Sequence, residues 1–419
     1  MKISLVLIIA ITTAATAAFF ILSPASFSLV PSDAKLSGQV VQGQPATVPP
    51  SSKSPSSDST APTTTPTNPS GDEPPQPQLV NPPAIVKGVY MTSWVAGTVK
   101  QRAHVESVVT RNNFNAIVVD IKDYSGYVTY DTDVPAVAAS GAEGQLRMKR
   151  PNAMIKEMHD KGIYIIGRVS TFQDPVLAKA HPEWALKSKK TGNLWRDRKG
   201  LAWMDVGAQP VWDYNIALAK DALARGVDEI QFDYIRFPSD GTLSDIIYPY
   251  WNGTTPKHDE VGKFFRYVKQ QLPNDRVSAD LFGLSTNQTD DLGIGQLIED
   301  GYKNFDYVSP MTYPSHYASG ALGYKNPALY PYEILHYAMT GGLKRWQALS
   351  NATSSSPTPP PHIAKLRPWL QVFDLGAVYN RAMVQKQIQA VEDVLGKHPE
   401  AYAGFLLWDP KNEYRPYSQ

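Results

Sequence analysis

Apolar and polar residues alternate along residues 227–238, and the alternation predicts a strand with two different faces. Ile230 and Phe232 share the apolar face, whereas Gln231 lies on the polar face together with the carboxylate that ends the strand. In a barrel of parallel strands wrapped by helices, the apolar side chains pack against the helices and the polar ones point into the lumen. Asp233 is therefore predicted at the C-terminal mouth of such a barrel, where these folds perform their chemistry.

From Ile85 onward, short apolar runs alternate with longer amphipathic segments. The short runs predict strands at Lys87–Thr92, Ala116–Lys122, Ile163–Val169, Glu229–Asp233, Val277–Phe282, Tyr307–Thr312, Trp369–Phe373 and Ala403–Trp408. The longer segments predict helices at Arg102–Asn112, Pro151–Lys161, Pro210–Arg225, Lys257–Gln271, Ile294–Tyr302, Pro331–Ala348 and Val378–Leu395. This alternation predicts a parallel sheet, and right-handed crossovers favour its closure into a (β/α)8 TIM barrel. An open, doubly wound α/β sheet is the alternative.

The loops that leave the strands are longer than most loops that enter them. Residues 170–209 follow the third predicted strand, residues 238–256 the fourth and residues 314–329 the sixth. Because all of these loops would lie at the C-terminal mouth, their length predicts a substrate groove on that side. Few residues follow the last strand, so the eighth helix of the barrel is expected to be missing or replaced.

Residues 1–84 differ in composition from the rest of the chain. Residues 1–30 contain a long apolar run after Met1-Lys2, which is typical of a signal peptide but is also long enough for a membrane anchor. Residues 31–84 are rich in Pro, Ser and Thr, which predicts a disordered linker. Residues 85–419 are predicted to form the barrel. We therefore expect an extracytoplasmic protein, either secreted or anchored to the cell membrane, that meets the membrane only through its N-terminal segment.

Composition narrows the range of functions. The formal net charge is +1 and no dense run of Lys or Arg occurs, so no nucleic-acid partner is predicted. Cysteine is absent, and the eight His are scattered without a ligand pair, so neither a metal site nor a cofactor is predicted. Aromatic residues make up 11% of the chain, which suits stacking against the flat faces of sugar rings.

The alternation of side chains along the other strands predicts that further polar residues lie at the mouth. They are Asp120 and Lys122 on the second strand, Arg168 on the third, Asp233 on the fourth, Asp280 on the fifth and Asp374 just past the seventh. A single Asp at a strand end is more often a helix cap or an Arg partner. Several carboxylates around one barrel mouth instead indicate an enzyme that cleaves an acetal. In that reaction one carboxyl group donates a proton and the other stays ionised.

Six stretches of the chain carry a resemblance to a known family. They are Gly88–Trp94, Val118–Gly126, Ile166–Val169, Asp228–Pro238, Asp306–Pro314 and Gly404–Asp409. They resemble the motifs of the bacterial putative glycosyl hydrolase domain family, once catalogued as a domain of unknown function, over nearly everything from Ile85 to the C-terminus. The resemblance implies a glycosidase-type (β/α)8 barrel with Asp233 as the leading catalytic residue.

A more distant similarity connects the chain with family 18 chitinase-like enzymes, which carry Asp-x-x-Asp-x-Asp-x-Glu on the fourth strand. The matching positions are Asp228, Asp233, Met311-Thr-Tyr313 and Trp408. Gln231 replaces the middle Asp, however, and Ile235 stands where the acidic Glu belongs. Chitinase chemistry through that Glu is therefore disfavoured. An Asp nucleophile on the fourth strand with an acid on the fifth suits other barrel glycosidases better.

The predicted catalytic residues are Asp233 as nucleophile and Asp280 as acid, with Asp120 and Asp374 in reserve. The predicted substrate-binding residues are Trp94, Lys122, Arg168, Tyr234, Arg236, Tyr313, Trp369, Asp374 and Trp408. Trp94 and Trp408 are favoured as sugar platforms because the first and last strands are neighbours in a closed barrel, whereas Arg236 is more simply explained as orienting a carboxylate or a loop. Two functions stay open: a glycoside hydrolase acting on a polysaccharide or oligosaccharide, and a non-catalytic carbohydrate-binding barrel that kept the groove and lost the acid.

Overall fold

The computed structural model describes residues 71–354 and 362–418, in which eight parallel strands close into a barrel. The barrel strands are β1 (Val86–Met91), β2 (Ala116–Lys122), β3 (Tyr164–Ser170), β4 (Glu229–Asp233), β5 (Val277–Phe282), β6 (Tyr307–Met311), β7 (Trp369–Gln371) and β8 (Gly404–Trp408). Pairing of β7 with β6 and of β8 with β1 closes the ring. A two-residue strand, Lys365–Leu366, precedes β7 and also pairs with β6. The prediction of a (β/α)8 TIM barrel is confirmed, and the open doubly wound sheet is wrong.

Helices lie between the barrel strands. In the described part of the chain they are α1 (Ser93–Ala96), α2 (Val99–Arg111), α3 (Pro135–Ser140), α4 (Pro151–Asp160), α5 (Pro175–Ala180), α6 (Gln209–Ala224), α7 (Lys257–Gln271), α8 (Ile298–Asn304), α9 (Pro331–Ser354) and α10 (Arg381–Leu395). The sequence did not predict α1, α3 and α5, because helices shorter than two turns do not display a 3.6-residue period. After β8, a single 3₁₀ turn at Arg415–Tyr417 stands where an eighth barrel helix would follow.

Two helices begin later than the hydrophobic pattern predicted, each for a local reason. Helix α8 begins at Ile298 rather than Ile294, because Gly295 adopts the left-handed conformation with φ of +83° and interrupts the helical path. Helix α10 begins at Arg381 because the Asn380 side chain accepts a hydrogen bond from the backbone N–H of Met383 at 3.1 Å. Such caps set helix ends through hydrogen bonds, and the periodicity of hydrophobic residues does not reveal these bonds.

Side chains of the barrel strands divide between two apolar layers. Ile230 and Phe232 of β4 point outward into the main core between the barrel and its helices. Val118, Ile166 and Leu406 point inward and form a separate apolar cluster within the lumen. The lumen is therefore a packed interior, and polar residues of the same inward parity lie above and below this cluster.

A buried ion pair occupies the lower lumen, at the N-terminal ends of the strands. The Arg367 guanidinium donates to both carboxylate oxygens of Glu229, with Nη1 3.0 Å from Oε2. The hydroxyls of Tyr164 and Ser278 donate to the same carboxylate. Because these groups are fully or almost fully buried, each charge depends on its partner. The lower lumen is thus neutralised, and the remaining lumenal carboxylates lie near the mouth.

Residues 72–79, here called the strap, run along the N-terminal end of the barrel. The backbone N–H of Gln76 donates to the Arg225 carbonyl at 3.0 Å, and that of Leu79 donates to Asp228 Oδ1 at 2.6 Å. The Leu79 side chain packs against the lumenal apolar cluster. Contacts with the barrel therefore begin ahead of Ile85, the predicted start of the folded part. A linker-like composition does not reveal such backbone hydrogen bonds.

Replacement of Asp72 by alanine is expected to destabilise the protein through helix α4. The two Asp72 carboxylate oxygens each accept a hydrogen bond of 3.0 Å from the first turn of α4, at the backbone N–H groups of Asn152 and Ala153. Loss of a capping carboxylate costs about 1 kcal/mol. Urea denaturation measures this change in the free energy of unfolding. Asp133→Ala is the control, because the Asp133 side chain is 99% exposed and its ion pair with Arg225 spans 3.6 Å; equal losses in both variants would refute the capping role.

The predicted signal or anchor at residues 1–30, and the predicted linker as far as residue 70, lie outside the described residues and stay predictions. The remainder of the linker, residues 71–84, is described and includes the strap. Within residues 71–354 and 362–418, no helix combines the length and the apolar character needed to cross a bilayer.

Candidate active site

Arg168 of β3 joins three carboxylates at the C-terminal mouth of the barrel. Its Nη1 atom donates to Asp120 Oδ1 at 2.6 Å, and its Nε atom donates to Asp233 Oδ2 at 3.1 Å. The same Nε atom lies 3.8 Å from Asp280 Oδ2. The four residues come from the adjacent strands β2 to β5, and all are buried. The structure thus brings one cation and three acids into a single cluster.

Asp280 has the surroundings of a carboxyl group that holds a proton. It is 1% exposed, and burial raises its pKa well above the usual value. The negative charge of Asp233 raises this pKa further, whereas the Arg168 charge opposes the shift. Trp369 of β7 donates its indole N–H to Asp280 Oδ1 at 2.7 Å. The other oxygen, Oδ2, faces Arg168.

Asp233 has the opposite surroundings, because hydrogen-bond donors converge on its carboxylate. Arg168 donates to Oδ2 through both Nε and Nη2, and the backbone N–H of Tyr234 donates to Oδ1 at 2.6 Å. Tyr234 adopts a left-handed backbone conformation, with φ of 53°, which is uncommon for a residue other than glycine. Charge-assisted hydrogen bonds of this kind are short and strong, and they fix the orientation of the Asp233 carboxyl group. Two neighbouring acids are therefore placed in contrasting environments.

The distance between these two acids has an upper bound set by Arg168. Since Asp233 Oδ2 lies 3.1 Å and Asp280 Oδ2 lies 3.8 Å from the same Nε atom, the two oxygens are no farther apart than the sum of these distances. Retaining glycosidases hold their carboxyl groups about 5–5.5 Å apart, and inverting enzymes roughly 6.5–9.5 Å. The bound applies to this one pair of oxygens, and it is compatible with the separation typical of retaining enzymes as well as with the inverting range.

Tyr90 of β1 belongs to the same cluster, although it was not among the predicted site residues. Its hydroxyl donates to Asp120 Oδ2 at 2.5 Å, and its ring stacks on Trp408 with the centroids 3.9 Å apart. Burial raises the pKa of Asp120, and the charge of Arg168 opposes that shift. The signal that could have identified Tyr90 is its position near the C-terminal end of the first strand, in phase with the lumenal residues.

Lys122 does not join the cluster, in contrast to its predicted parity with Asp120. A β-bulge between these two residues pairs Lys122 with Val169, an outward-facing residue of β3. One extra residue in a strand turns the following side chains to the other face of the sheet. Lys122 is fully buried outside the lumen, where its Nζ atom lies 2.6 Å from Asp174 Oδ2 and packs near the Tyr214 ring. Its placement is that of a buried ion pair behind the site.

Three other acidic or basic candidates lie in different places. Asp374 is exposed, and its Oδ1 atom accepts a hydrogen bond from the backbone N–H of Tyr379 at 2.7 Å. Asp228 lies at the N-terminal end of the barrel, where it accepts backbone hydrogen bonds from the strap and from β3. Arg236 lies at the mouth and donates to its own loop, at the Phe237 carbonyl, and not to a carboxylate.

Ile235 is fully buried in the outer core, and Gln231 points into the lumen and donates to Ser309 Oγ at 3.2 Å. These are the two positions at which the chain departs from the chitinase-like motif. The side chain at position 235 therefore has no path to the mouth, and a general acid at that position would face the surrounding helices. The acid of this site has to come from another strand.

Aromatic candidates differ in how much ring surface they present. Trp94 of α1 is 60% exposed, with the Arg147 guanidinium over its ring at 4.7 Å from the centroid. Trp408 is half-buried, and Trp369 is buried and binds Asp280 through its indole N–H. Tyr313 is buried near the acids, and burial together with the charge of Asp280 raises its pKa well above the usual value. Trp94 thus presents the most open ring of these residues, whereas Tyr90 stacks on the Trp408 ring.

Metal ligands do not cluster in the part of the chain that the structure describes. No three His, Cys, Asp or Glu side chains among residues 71–354 and 362–418 are grouped so as to hold an ion. The carboxylates of the cluster are instead offset by the guanidinium of Arg168.

Comparison with protein families gives a match that covers nearly the whole barrel. Residues 88–414 match the model of a family described as "Putative glycosyl hydrolase domain". Among curated proteins, no sequence matches the chain.

Several solved structures are similar to this chain. A hypothetical protein from Ruminiclostridium thermocellum is 38% identical, over 49% of this chain and 98% of its own, with a TM-score of 0.42. The PgaB (BpsB) glycoside hydrolase domain from Bordetella bronchiseptica is 12% identical, over 80% of this chain and 99% of its own, with a TM-score of 0.54. At that identity the second likeness is one of fold.

Proposed function

The chain belongs to the putative glycosyl hydrolase domain family, and on that premise we propose that it is a glycoside hydrolase that cleaves a polysaccharide outside the cytoplasm. The observation that carries the proposal is the contrast between two acids on adjacent strands. Asp280 is buried with a raised pKa, whereas Asp233 receives hydrogen bonds from Arg168 and from a backbone N–H. Paired carboxyl groups held in opposite protonation states are what hydrolysis of an acetal requires.

In the proposed reaction, Asp280 is the general acid and Asp233 the nucleophile. Asp280 gives its proton to the glycosidic oxygen as the bond from that oxygen to the anomeric carbon breaks. A carboxylate oxygen of Asp233 forms a bond to the anomeric carbon, which produces a glycosyl ester and frees the leaving alcohol. Asp280, now ionised, then takes a proton from water. The water oxygen bonds to the anomeric carbon and displaces Asp233, which restores both carboxyl groups.

Retention of anomeric configuration follows from this assignment. Two displacements at one carbon restore its configuration, and the bound on the separation between the Asp233 and Asp280 oxygens is compatible with this route. Inversion needs room for a water molecule between the anomeric carbon and the base, and hence a larger separation.

Arg168 acts in this proposal as a positioning residue for Asp233, and Asp120 with Tyr90 holds Arg168 in turn. Arg168 lies between Asp120 and Asp233, and Tyr90 donates to Asp120 from the far side. A chain of buried, hydrogen-bonded groups restricts the rotamers of its members. The nucleophile is thereby held still while the substrate binds, with Trp94 and Trp408 as platforms for sugar rings.

The extracytoplasmic location rests on residues 1–30 and on the Pro, Ser and Thr content of residues 31–84. Export followed either by cleavage or by retention of the apolar segment agrees with a polysaccharide substrate, since such polymers surround cells. Cell fractionation of the full chain, followed by detection in the membrane and in the culture medium, tests this part of the proposal.

Purified wild-type protein is expected to release reducing ends from at least one member of a panel of neutral and acidic polysaccharides. A reducing-sugar assay measures the release, and heat-denatured protein is the control. Binding to one polymer without release of reducing ends from any of them would refute the hydrolase and favour the non-catalytic carbohydrate-binding barrel. Product analysis by chromatography then identifies the bond that is cleaved.

A further inference from the structure

Arg236 places a positive charge that forms no ion pair with the described residues at the mouth, within electrostatic reach of Asp233. Its guanidinium packs against the rings of Phe282, the last residue of β5, and Tyr234, the first residue after β4, at 4.7 Å and 5.6 Å from the centroids. Trp203, from the long loop after β3, covers it from another side at 4.9 Å. The guanidinium therefore lies at the ends of the two strands that carry Asp233 and Asp280.

The hydrogen-bonding capacity of this guanidinium is only partly used. Nη1 donates to the Phe237 carbonyl at 3.0 Å and to Ser239 Oγ at 3.2 Å. Arginine carries five N–H donors. The Nε and Nη2 atoms of Arg236 have no hydrogen-bond partner among the described residues. Neither atom is fully buried. Their N–H edge is therefore open to solvent at the mouth, although the residue as a whole is only 8% exposed.

Comparison with the other buried arginines of the described residues makes Arg236 exceptional. Arg102, Arg168 and Arg367 each form an ion pair with a carboxylate, at Glu157, Asp120 and Glu229 respectively. No carboxylate oxygen of the described residues lies within 4.0 Å of the Arg236 guanidinium. A buried cation is costly unless it is paired, because it has lost its water. The missing partner has to be water or a ligand that enters the mouth.

We propose that Arg236 binds the carboxylate of an acidic sugar, so that the substrate is a polysaccharide containing uronic acids or similar carboxylated residues. This inference rests on the proposed hydrolase function and names its substrate class. The planar fork of a guanidinium matches the two oxygens of a carboxylate, and the aromatic rings around it keep that fork in one orientation. Because Arg236 follows Asp233 by three residues, the carboxylated sugar occupies a position next to the bond that is cleaved.

The charges around Arg236 are compatible with an anion in this position. Asp233, Asp240 and Asp197 lie within electrostatic reach of Arg236. Asp233 accepts hydrogen bonds from Arg168, whereas Asp240 and Asp197 accept them from the backbone N–H groups of Arg198 and Leu201 in the loop after β3. Lys199, in the same loop after β3, lowers the pKa of His316 in the loop after β6 through its positive charge, after the larger effect of burial. These acids are therefore held by other hydrogen-bond donors, and the N–H edge of Arg236 stays available for a ligand.

The test compares hydrolysis of a uronic-acid polysaccharide with that of its carboxyl-reduced form, in which each carboxylate has become a neutral hydroxymethyl group. Wild-type protein is expected to show a kcat/KM about 10- to 100-fold higher on the acidic polymer, the gain that a charged hydrogen-bonded pair gives. Arg236→Gln is expected to bring this ratio close to one, mainly through KM, and Arg236→Lys to give an intermediate ratio. Arg111→Gln is the charge-matched control, since Arg111 lies exposed at the end of α2, away from the mouth.

Each outcome of this experiment has a different meaning. Equal hydrolysis of both polymers by the wild type, with a ratio unchanged in Arg236→Gln, overturns the inference and leaves the hydrolase intact. Binding of uronic-acid oligosaccharides that weakens in Arg236→Gln, without any hydrolysis, overturns the proposed function and supports the anion site. A preference for sulfated polymers over carboxylated ones overturns the carboxylate assignment. If Arg236→Gln does not fold, calorimetric binding of acidic and carboxyl-reduced oligosaccharides to wild type decides, and equal affinities overturn the inference.

Discussion

Replacement of Asp233 by alanine is expected to lower kcat on the natural polysaccharide by roughly 10⁴-fold or more, the scale seen when a catalytic nucleophile is removed. The variant lacks the oxygen that attacks the anomeric carbon, while Asp280 can still protonate the leaving oxygen. Arg168 loses one of its two closest carboxylate partners but keeps Asp120 at 2.6 Å. Binding should therefore survive, and steady-state kinetics together with calorimetry on the same polymer separates loss of turnover from loss of affinity.

Azide provides a sharper form of this test. In Asp233→Ala, azide is small enough to occupy the space of the missing carboxylate, and it should restore turnover and form a glycosyl azide. Asp160→Ala is the matched control, because Asp160 lies exposed at the end of α4 and pairs with Lys156 on the same helix. Full activity of Asp233→Ala would end the assignment of Asp233 as nucleophile. An inverted anomer as the wild-type product, observed by NMR, would contradict the double displacement.

Replacement of Asp280 by asparagine is expected to lower kcat/KM by about 10²- to 10⁴-fold on a polysaccharide, the usual contribution of a general acid. Asparagine keeps the shape of the side chain and can still accept the indole hydrogen bond of Trp369, which limits structural damage. An aryl glycoside with an acidic leaving group needs little protonation, so the variant should lose far less activity on that substrate. Equal losses on both substrates would show that Asp280 does not act as the acid.

The pH profile gives an independent readout of the same residue. A general acid must be protonated, so kcat/KM falls as the pH rises through the pKa of that acid. Burial and the charge of Asp233 raise the pKa of Asp280, so the alkaline limb should lie at a higher pH than for an ordinary aspartic acid. In Asp280→Asn this limb should disappear, because asparagine does not titrate. A limb at the same pH in the variant and in the wild type would assign it to another group.

Much of the barrel could be predicted from the sequence because a strand has a period of two. Alternation in residues 227–238 placed Ile230 and Phe232 outward and Asp233 at the mouth, and the same argument brought Asp120, Arg168 and Asp280 to the adjacent strands. These features depend on local covalent geometry and on the burial of apolar faces, both of which a single segment expresses. The boundaries of α8 and α10 were less accurate because a left-handed glycine and an asparagine cap set them.

Other features depend on residues that are distant in the chain and could not be predicted. The bulge in β2 moves Lys122 out of the lumen to Asp174, although its alternation with Asp120 is intact in the sequence. The strap adds backbone hydrogen bonds from a segment that has the composition of a linker. The unpaired state of Arg236 became visible only once its neighbours from the loop after β3 and from β5 were in place.

The sequence by itself determined which residues could meet at the mouth, because strand periodicity and chain order fix the face and the end on which each side chain lies. Only the tertiary structure decided how the roles divide among them. The pKa of Asp280 depends on its desolvation and on the nearby charge of Asp233, and Trp369, which is far away in the chain, donates a hydrogen bond to its carboxylate. Burial and pairing of a charge depend on the whole surrounding shell, and no single stretch of sequence contains that shell.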